Sequence, residues 1–225
     1  MSYLGSKAAS GACEAIIALM PQHDTYIETH LGTGAVMLRK PLAARSIGID
    51  LDPAMVDAFP IEHSCERLSC RAEAYLADFD YAGSGRVFIY ADPPYVLATR
   101  TSRNRYKFDY VDQDHEALAE VLHAVPAAVA ISGYVSSLYE RLYASWRRVQ
   151  FQVMTRGGPR TECVWMNYDA GNVVLSNYVG QNFTDRQRIK RKVARWEAKF
   201  GALPQHERDA VFAALLRSRI DGSVC

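Results

Sequence analysis

Asp92-Pro93-Pro94-Tyr95 follows directly on the apolar run Val87-Phe88-Ile89-Tyr90-Ala91. An acid, two prolines and an aromatic ring therefore stand where a buried strand runs out into a turn. Asp92 can accept a hydrogen bond from an exocyclic amine, and the carbonyls flanking Pro93 can accept another. Proline has no N–H and a fixed φ, so these acceptors are presented in a stiff frame. Tyr95 adds a flat face on which a planar ring can stack. Two acceptors and a platform suit an amine in the plane of a purine or cytosine ring. Such an amine is a poor nucleophile, because its lone pair is delocalised into the ring. Acceptors that draw its N–H bonds toward tetrahedral geometry localise that pair toward a methyl donor. No covalent intermediate with the protein is needed, in keeping with five cysteines (Cys13, Cys65, Cys70, Cys163, Cys225) that lack an activating context.

A second group of residues lies upstream. The segment Tyr26-Ile27-Glu28-Thr29-His30-Leu31-Gly32-Thr33-Gly34 puts a Gly-x-Gly at the carboxyl end of a strand, where open α/β sheets bind ligands. Glycine there lets the backbone approach a ligand closely. Asp50 ends the next strand, 16 residues after Gly34, where an acid can accept hydrogen bonds from both ribose hydroxyls. The dinucleotide fingerprint Gly-x-Gly-x-x-Gly is incomplete, since position 37 is Met. A nucleoside-containing cofactor without a pyrophosphate is therefore favoured, and S-adenosylmethionine is the common one.

The elements that must position these residues alternate. Residues from about Ala8 to Met20 have apolar positions at helical spacing and stop at Pro21. "TYIET" reads as a strand, "AVMLRKPLAAR" as a helix that Pro41 ends or kinks, "SIGIDLD" as a strand ending in acids, and "PAMVDAFPIEH" as a short helix with proline at its start. "RVFIYADPPY" is the strongest strand, "DQDHEALAEVLHAV" an amphipathic helix, "AAVAIS" a buried strand and "SSLYERLYASW" a helix. Two late strands, "RRVQFQVMT" and "TECVWMNY", flank "RGGPR" and suit a hairpin. The pattern predicts an α/β protein with a mostly parallel sheet and an antiparallel hairpin at its edge. Residues 1–180 are expected to form that domain, and 181–225 a basic helical extension broken near Gly201 and Pro204.

Composition narrows the setting. With 225 residues, 49% hydrophobic and 23% charged, the chain suits one globular domain with an appendage. It has no apolar run long enough to span a bilayer, and "MSYLGSKAAS" lacks the h-region of a secretory signal. The cysteines follow no metal-ligand spacing, so reduced thiols in a cytoplasmic protein, without a metal, are expected. The formal net charge of +1 conceals an uneven distribution: Asp185 to Lys199 holds seven basic residues against two acids. A basic tail on a mildly acidic body points to a polyanionic partner.

"ADPPY", with "ETHLGTG" upstream, resembles the Dam-like class of DNA adenine-N6 methyltransferases. The order of parts agrees across most of the first 170 residues. "YLGSK" is similar to that family's opening motif, and the resemblance assigns Tyr3 and Lys7 to the cofactor. "YIETHLGTGAV" resembles the motif that forms the methionine-side pocket, which carries over Glu28, Gly32 and Gly34. "GIDLD" resembles the ribose-binding strand end, with Asp50 in that role. Asp92, Pro93, Pro94 and Tyr95 take the catalytic positions, with Asp92 also facing the cofactor. "TECVWMNYD" resembles the closing strand of the class. Two departures stand out: Thr29-His30 replaces the usual Pro-Phe, so that His30 either contacts cofactor or fills space, and Tyr3 replaces Trp.

The resemblance implies a Rossmann-like methyltransferase fold and methyl transfer from S-adenosylmethionine to adenine in DNA by base flipping. Related cytosine enzymes usually begin the turn with Ser, so Asp92 favours adenine. Adenine in RNA and a non-catalytic nucleic-acid-binding module are the alternatives. Larger relatives insert a recognition domain between the ribose-binding strand and the catalytic turn, and residues 52–90 leave no room for one. Contacts to nucleic acid are expected instead from "LATRTSRNRYKFDY", with Arg100, Arg103, Arg105, Tyr106 and Lys107, from Arg156 and Arg160 around "TRGGPR", and from Arg188, Lys190 and Arg191 in the tail. Such contacts imply salt-sensitive binding with a short or relaxed target sequence. The sequence is silent on oligomeric state and on a restriction, phage or regulatory role.

Overall fold

In the computed structural model, residues 12–60, 65–100, 107–155, 158–169 and 183–220 are described. Five strands run parallel: β1 (Thr25–Thr29), β2 (Arg45–Asp50), β3 (Cys65–Ser69), β4 (Val87–Ala91) and β5 (Ala128–Gly133). Two more, β6 (Arg147–Thr155) and β7 (Gly158–Met166), form the expected late hairpin, in register from Arg147 opposite Met166 to Thr155 opposite Gly158. The seven make one sheet in the order β3-β2-β1-β4-β5-β7-β6, with β7 antiparallel to both of its neighbours. That order, with its reversal between β1 and β4, is the Rossmann-like methyltransferase fold.

Every residue of β1 and β4 is buried, because the sheet is covered on both faces and its central strands have no solvent side. Ile27, Ile47, Ile49, Ile89, Ile131 and Trp165 point to one face. There they meet Leu76 of α3 (Ala72–Asp78), Leu118 and Leu122 of α4 (Asp112–Ala124), and Leu138 of α5 (Ser137–Leu142). The alternate residues Tyr26, Phe88, Tyr90, Ala130, Val164 and Met166 point to the other face, against Cys13 and Ile16 of α1 (Ala12–Leu19) and against Phe59. The strand period of two thus sorts one set of apolar runs into two core layers.

Two helical expectations are corrected. "AVMLRKPLAAR" forms successive turns rather than a helix: Leu38 N–H reaches Gly34 O at 2.9 Å and Lys40 N–H reaches Val36 O at 3.0 Å, but no continuous ladder develops. Pro41 lacks an N–H and disfavours helical geometry at Lys40, so the turn cannot propagate. The second helix, α2 (Pro53–Ala58), is capped by Asp52, whose side chain accepts from Ala54 N–H, and it ends early. Phe59 has ψ 122°, the extended conformation that Pro60 imposes on the residue before it. Between Asp52 and Tyr90, β3 and α3 supply a strand and a helix.

Phe59 explains one of the glycines. Gly34 has φ +60°, and a Cβ built there would lie 1.9 Å from Cε2 of the buried Phe59 ring. The missing side chain thus makes room for the protein's own core. Gly34→Ala is expected to cost about 2–4 kcal/mol, from left-handed strain and forced displacement of the ring. Urea unfolding checks this, and a midpoint equal to that of the unaltered protein would contradict it.

The C-terminal unit spans Asn177–Cys225, separate from Met1–Ser176. Its described residues hold α6 (Phe183–Gly201) and α7 (Gln205–Ile220), with the break between them at Gly201–Pro204 as expected. Arg188, Lys190 and Arg191 are exposed on α6, and Arg188 also pairs with Asp185 at 2.8 Å. Trp196 is 60% exposed, with Lys199 Nζ 5.4 Å from its ring centroid.

Candidate active site

The sheet order reverses between β1 and β4, and the carboxyl ends of the strands at such a reversal are where open α/β sheets bind ligands. Both chemistry-bearing motifs lie there. The glycine turn leaves β1 and the Asp92–Tyr95 turn leaves β4, with Thr29 and Ala91 paired as the last residues in register. Asp50, at the end of β2, stands on the far side of β1.

On the β1 side, Glu28 is 3% exposed and accepts a hydrogen bond from Tyr26 Oη at 2.8 Å. The N–H of Met37 also donates to its carboxyl group, which fastens the turns after Gly34 to the strand. Burial pushes the Glu28 pKa up to about 8, the charge of Asp92 adds to this, and Tyr26, Met37 and Lys40 oppose it. Lys40 is itself buried, 4.3 Å from the centroid of the Tyr26 ring, and desolvation lowers its pKa to about 8. Asp50 binds the chain locally: Oδ2 accepts from Gly32 N–H at 2.7 Å and Oδ1 from Asp52 N–H at 2.9 Å. The N–H of Leu51 also donates to this carboxyl group, and an ionised carboxylate has about four acceptor positions, so these three bonds leave one for a hydroxyl donor. Gly32, at φ +51°, gives the turn the shape that aims its N–H at Asp50.

On the β4 side, Pro93 is buried, while Asp92, Pro94 and Tyr95 are half-buried. Tyr95 Oη donates to Glu162 of β7, 2.9 and 2.8 Å from its two carboxylate oxygens. Glu162 is 5% exposed. Burial and then the Glu162 charge hold the Tyr95 phenol well above its ordinary pKa, so it stays a donor. The Tyr95 ring meets Tyr134 edge-to-face at 4.5 Å, and the Arg160 guanidinium lies 5.8 Å from the Tyr134 centroid. The platform is therefore clamped at its hydroxyl and braced along its ring. Glu162 was visible in the sequence only as part of a strand, and Tyr134 carried no signal at all. Their contacts depend on β7 inserting beside β5, which local spacing does not encode.

Arg100, expected to contact nucleic acid, is turned inward. Its side chain is 6% exposed, with Nε donating to the Tyr95 carbonyl at 2.5 Å and Nη1 pairing with Asp109 at 2.5 Å. The enclosed guanidinium thus holds the Asp92–Tyr95 turn to Asp109. Lys107 is exposed and reaches Asp52 at 3.0 Å. His30, at φ +61°, joins Thr29 Oγ1 at 3.1 Å and Tyr110 Oη at 2.8 Å. It fastens the glycine turn to a later segment, a role beyond filling space. Tyr3, Lys7, Arg103, Arg105, Tyr106 and Arg156 lie outside the described residues. No helix among the described residues is long and apolar enough to cross a membrane, and no metal-holding group of His, Cys, Asp or Glu is found among them.

The chain is similar to several solved structures. They include an rRNA methylase of Streptococcus thermophilus (10% identity, 68% of this chain and 93% of that one, TM-score 0.47). TrmN of Thermus thermophilus matches at 15% identity, over 69% of this chain and 47% of that one, with a TM-score of 0.47. The O-methyltransferase TomG of Streptomyces achromogenes, in complex with S-adenosylmethionine, matches at 11% identity, over 68% and 77%, with a TM-score of 0.45. No family model and no curated protein matches the chain.

Proposed function

We propose that the chain is an S-adenosylmethionine-dependent methyltransferase acting on the N6 amine of adenine in DNA. The observation that carries this reading is the Asp92–Tyr95 turn, placed across the sheet reversal from the glycine turn with its tyrosine fixed by Glu162. The donor set suits the cofactor. Glu28, Asp50 and Asp92 are three acids at or near the ends of three adjacent strands, which favours a cationic nucleoside over a phosphorylated one. Glu28 and the turn at Gly32 would hold the methionine side, Asp50 the ribose, and Tyr3 and Lys7 would complete the pocket. When bound, the cofactor supplies an electrophilic methyl group.

The chain's own residues prepare the acceptor. Asp92 and the carbonyls flanking Pro93 accept the two N–H bonds of the amine and localise its lone pair. The Tyr95 face carries the flipped base, and the Glu162 clamp keeps that face from rotating with the base. Asp92 is the acidic group the turn offers for the proton the amine gives up. Lys107 and Arg160, the basic residues of the segment 101–106, Arg156, and Arg188, Lys190 and Arg191 on α6 are assigned to phosphates, with little sequence readout.

Incubation with methyl-labelled cofactor and duplex DNA, single-stranded DNA or RNA, followed by nucleoside analysis, tests this reading. Label in N6-methyladenine from DNA is expected. Label only in RNA, or in cytosine, would refute the substrate, and label in none would refute the activity.

A further inference from the structure

Residues 107–110 are linked to the turns that follow both β1 and β4. Tyr110 Oη lies 2.8 Å from His30 Nε2 and 3.0 Å from Glu73 Oε1 on α3. The rings of His30 and Tyr110 meet edge-on, with centroids 5.3 Å apart at 77°. The protons in this chain have one consistent order. A carboxylate only accepts, so Tyr110 donates to Glu73 and must accept from His30 Nε2–H; the neutral imidazole then accepts from Thr29 through Nδ1. Burial drives the His30 pKa down to about 3, which keeps that neutral form across the working range. His30 also holds a left-handed conformation that non-glycine residues adopt at a cost, and such strain persists only where surrounding contacts impose it.

The adjoining residue reaches the other turn. Asp109 pairs with Arg100, and Arg100 binds the Tyr95 carbonyl, both at 2.5 Å. At the start of the same segment, Lys107 pairs with Asp52, whose N–H binds the Asp50 carboxylate. Three links, from Lys107, Asp109 and Tyr110, therefore tie one short segment to the β2 corner, the β4 turn and the β1 turn. The core packing already described explains the fold without requiring these links. Each ends on a turn assigned to cofactor or acceptor.

We propose that residues 107–110 are a positioning strap that couples cofactor binding to acceptor binding, with Tyr110 and Asp109 as its working contacts. The proposal rests on the methyltransferase reading above. Ordering of the glycine turn by cofactor fixes His30, and through Tyr110 and Asp109 it fixes Arg100 and the Tyr95 carbonyl. The second ligand then meets a turn whose ordering cost has already been met. By linkage the effect is reciprocal, so either ligand strengthens the other by the same factor.

The test measures S-adenosylhomocysteine affinity with and without a saturating mixed-sequence DNA duplex. The unaltered protein, Tyr110→Phe and Asp109→Asn are compared. Tyr110→Phe keeps the ring in the core and removes the hydroxyl. In the unaltered protein, DNA is expected to tighten binding by about fivefold or more. Each variant should bring that factor toward one while changing the affinity for either ligand alone far less. A purely structural role would move the single affinities or the urea midpoint and leave the factor intact. An unchanged factor in both variants, or a factor of one in the unaltered protein, overturns the strap. A protein that binds neither ligand overturns the reading beneath it. His30→Asn, whose side chain tolerates the left-handed conformation, replaces any variant that fails to fold and is held to the same outcome.

Discussion

Asp92→Ala is expected to lower the rate of methyl transfer by about 10²–10⁴-fold, while cofactor affinity changes by less than about tenfold. The asymmetry follows from where the residue acts. Localising the lone pair of the amine matters most as the nitrogen becomes tetrahedral, so the contact strengthens toward the transition state. An interaction of that kind appears in kcat far more than in ground-state affinity. Tyr95, held by Glu162 and by the edge of Tyr134, should still accept the base in the variant. Nucleic-acid binding is thus expected to survive. Asp92→Asn keeps one carbonyl acceptor for the amine but loses the charge and the proton-accepting group, so its rate should fall between those of the alanine variant and the unaltered protein. Single-turnover rates, with cofactor and DNA affinities measured separately, decide the matter. Equal rates from the alanine variant and the unaltered protein would remove Asp92 from the chemistry.

The features legible in the sequence were those carried by contiguous residues. β1 and β4 were readable because strands covered on both faces must be apolar throughout. The late hairpin followed from two strand patterns flanking "RGGPR". The helix expected after Gly34 was misread because its apolar spacing is sound while Pro41 denies it propagation. Val36 and Met37 are buried all the same, so the spacing reported burial and not helicity. The roles least legible were those settled across the sheet. Arg100 looks like a phosphate ligand in a basic stretch, and only Asp109 and the Tyr95 carbonyl beside it show an inward role. Glu162 becomes part of the site because β7 lies next to β5, placing a residue 67 positions from Tyr95 against its hydroxyl. His30 was noticed as a departure, but its partner Tyr110 is 80 residues away.

Between pH 4.5 and 8, the unaltered protein is expected to lose up to about 5 kcal/mol of stability relative to Glu28→Gln. Glu28 has an ordinary pKa of 4.5 and a folded value of about 8, because burial disfavours its charge. Between those values the folded state binds the proton that the unfolded chain has released, so stability is fully present below pH 4.5 and falls as pH rises to 8. Lys40 acts on the other side. Its folded value of about 8 lies below 10.5, so its share is present at high pH and is lost as pH falls through that interval. Together they set a stability minimum near pH 8. His30 and His115, lowered to about 3 and 4 by burial, take stability away as pH falls below 6.5. The comparison with Glu28→Gln separates the carboxyl group from these other groups.

The same proton links stability to the proposed ligand. A cation seated beside Glu28 favours its charged form, so cofactor binding below pH 8 should release a proton and tighten by up to about tenfold per pH unit. Calorimetry in two buffers of different ionisation enthalpy measures that release, and Glu28→Gln should abolish it. Removing the Asp92 charge, which also raises the Glu28 pKa, should shift the midpoint of the release downward. A proton count of zero in the unaltered protein at pH 7 would mean that the ligand's cationic end does not lie against Glu28.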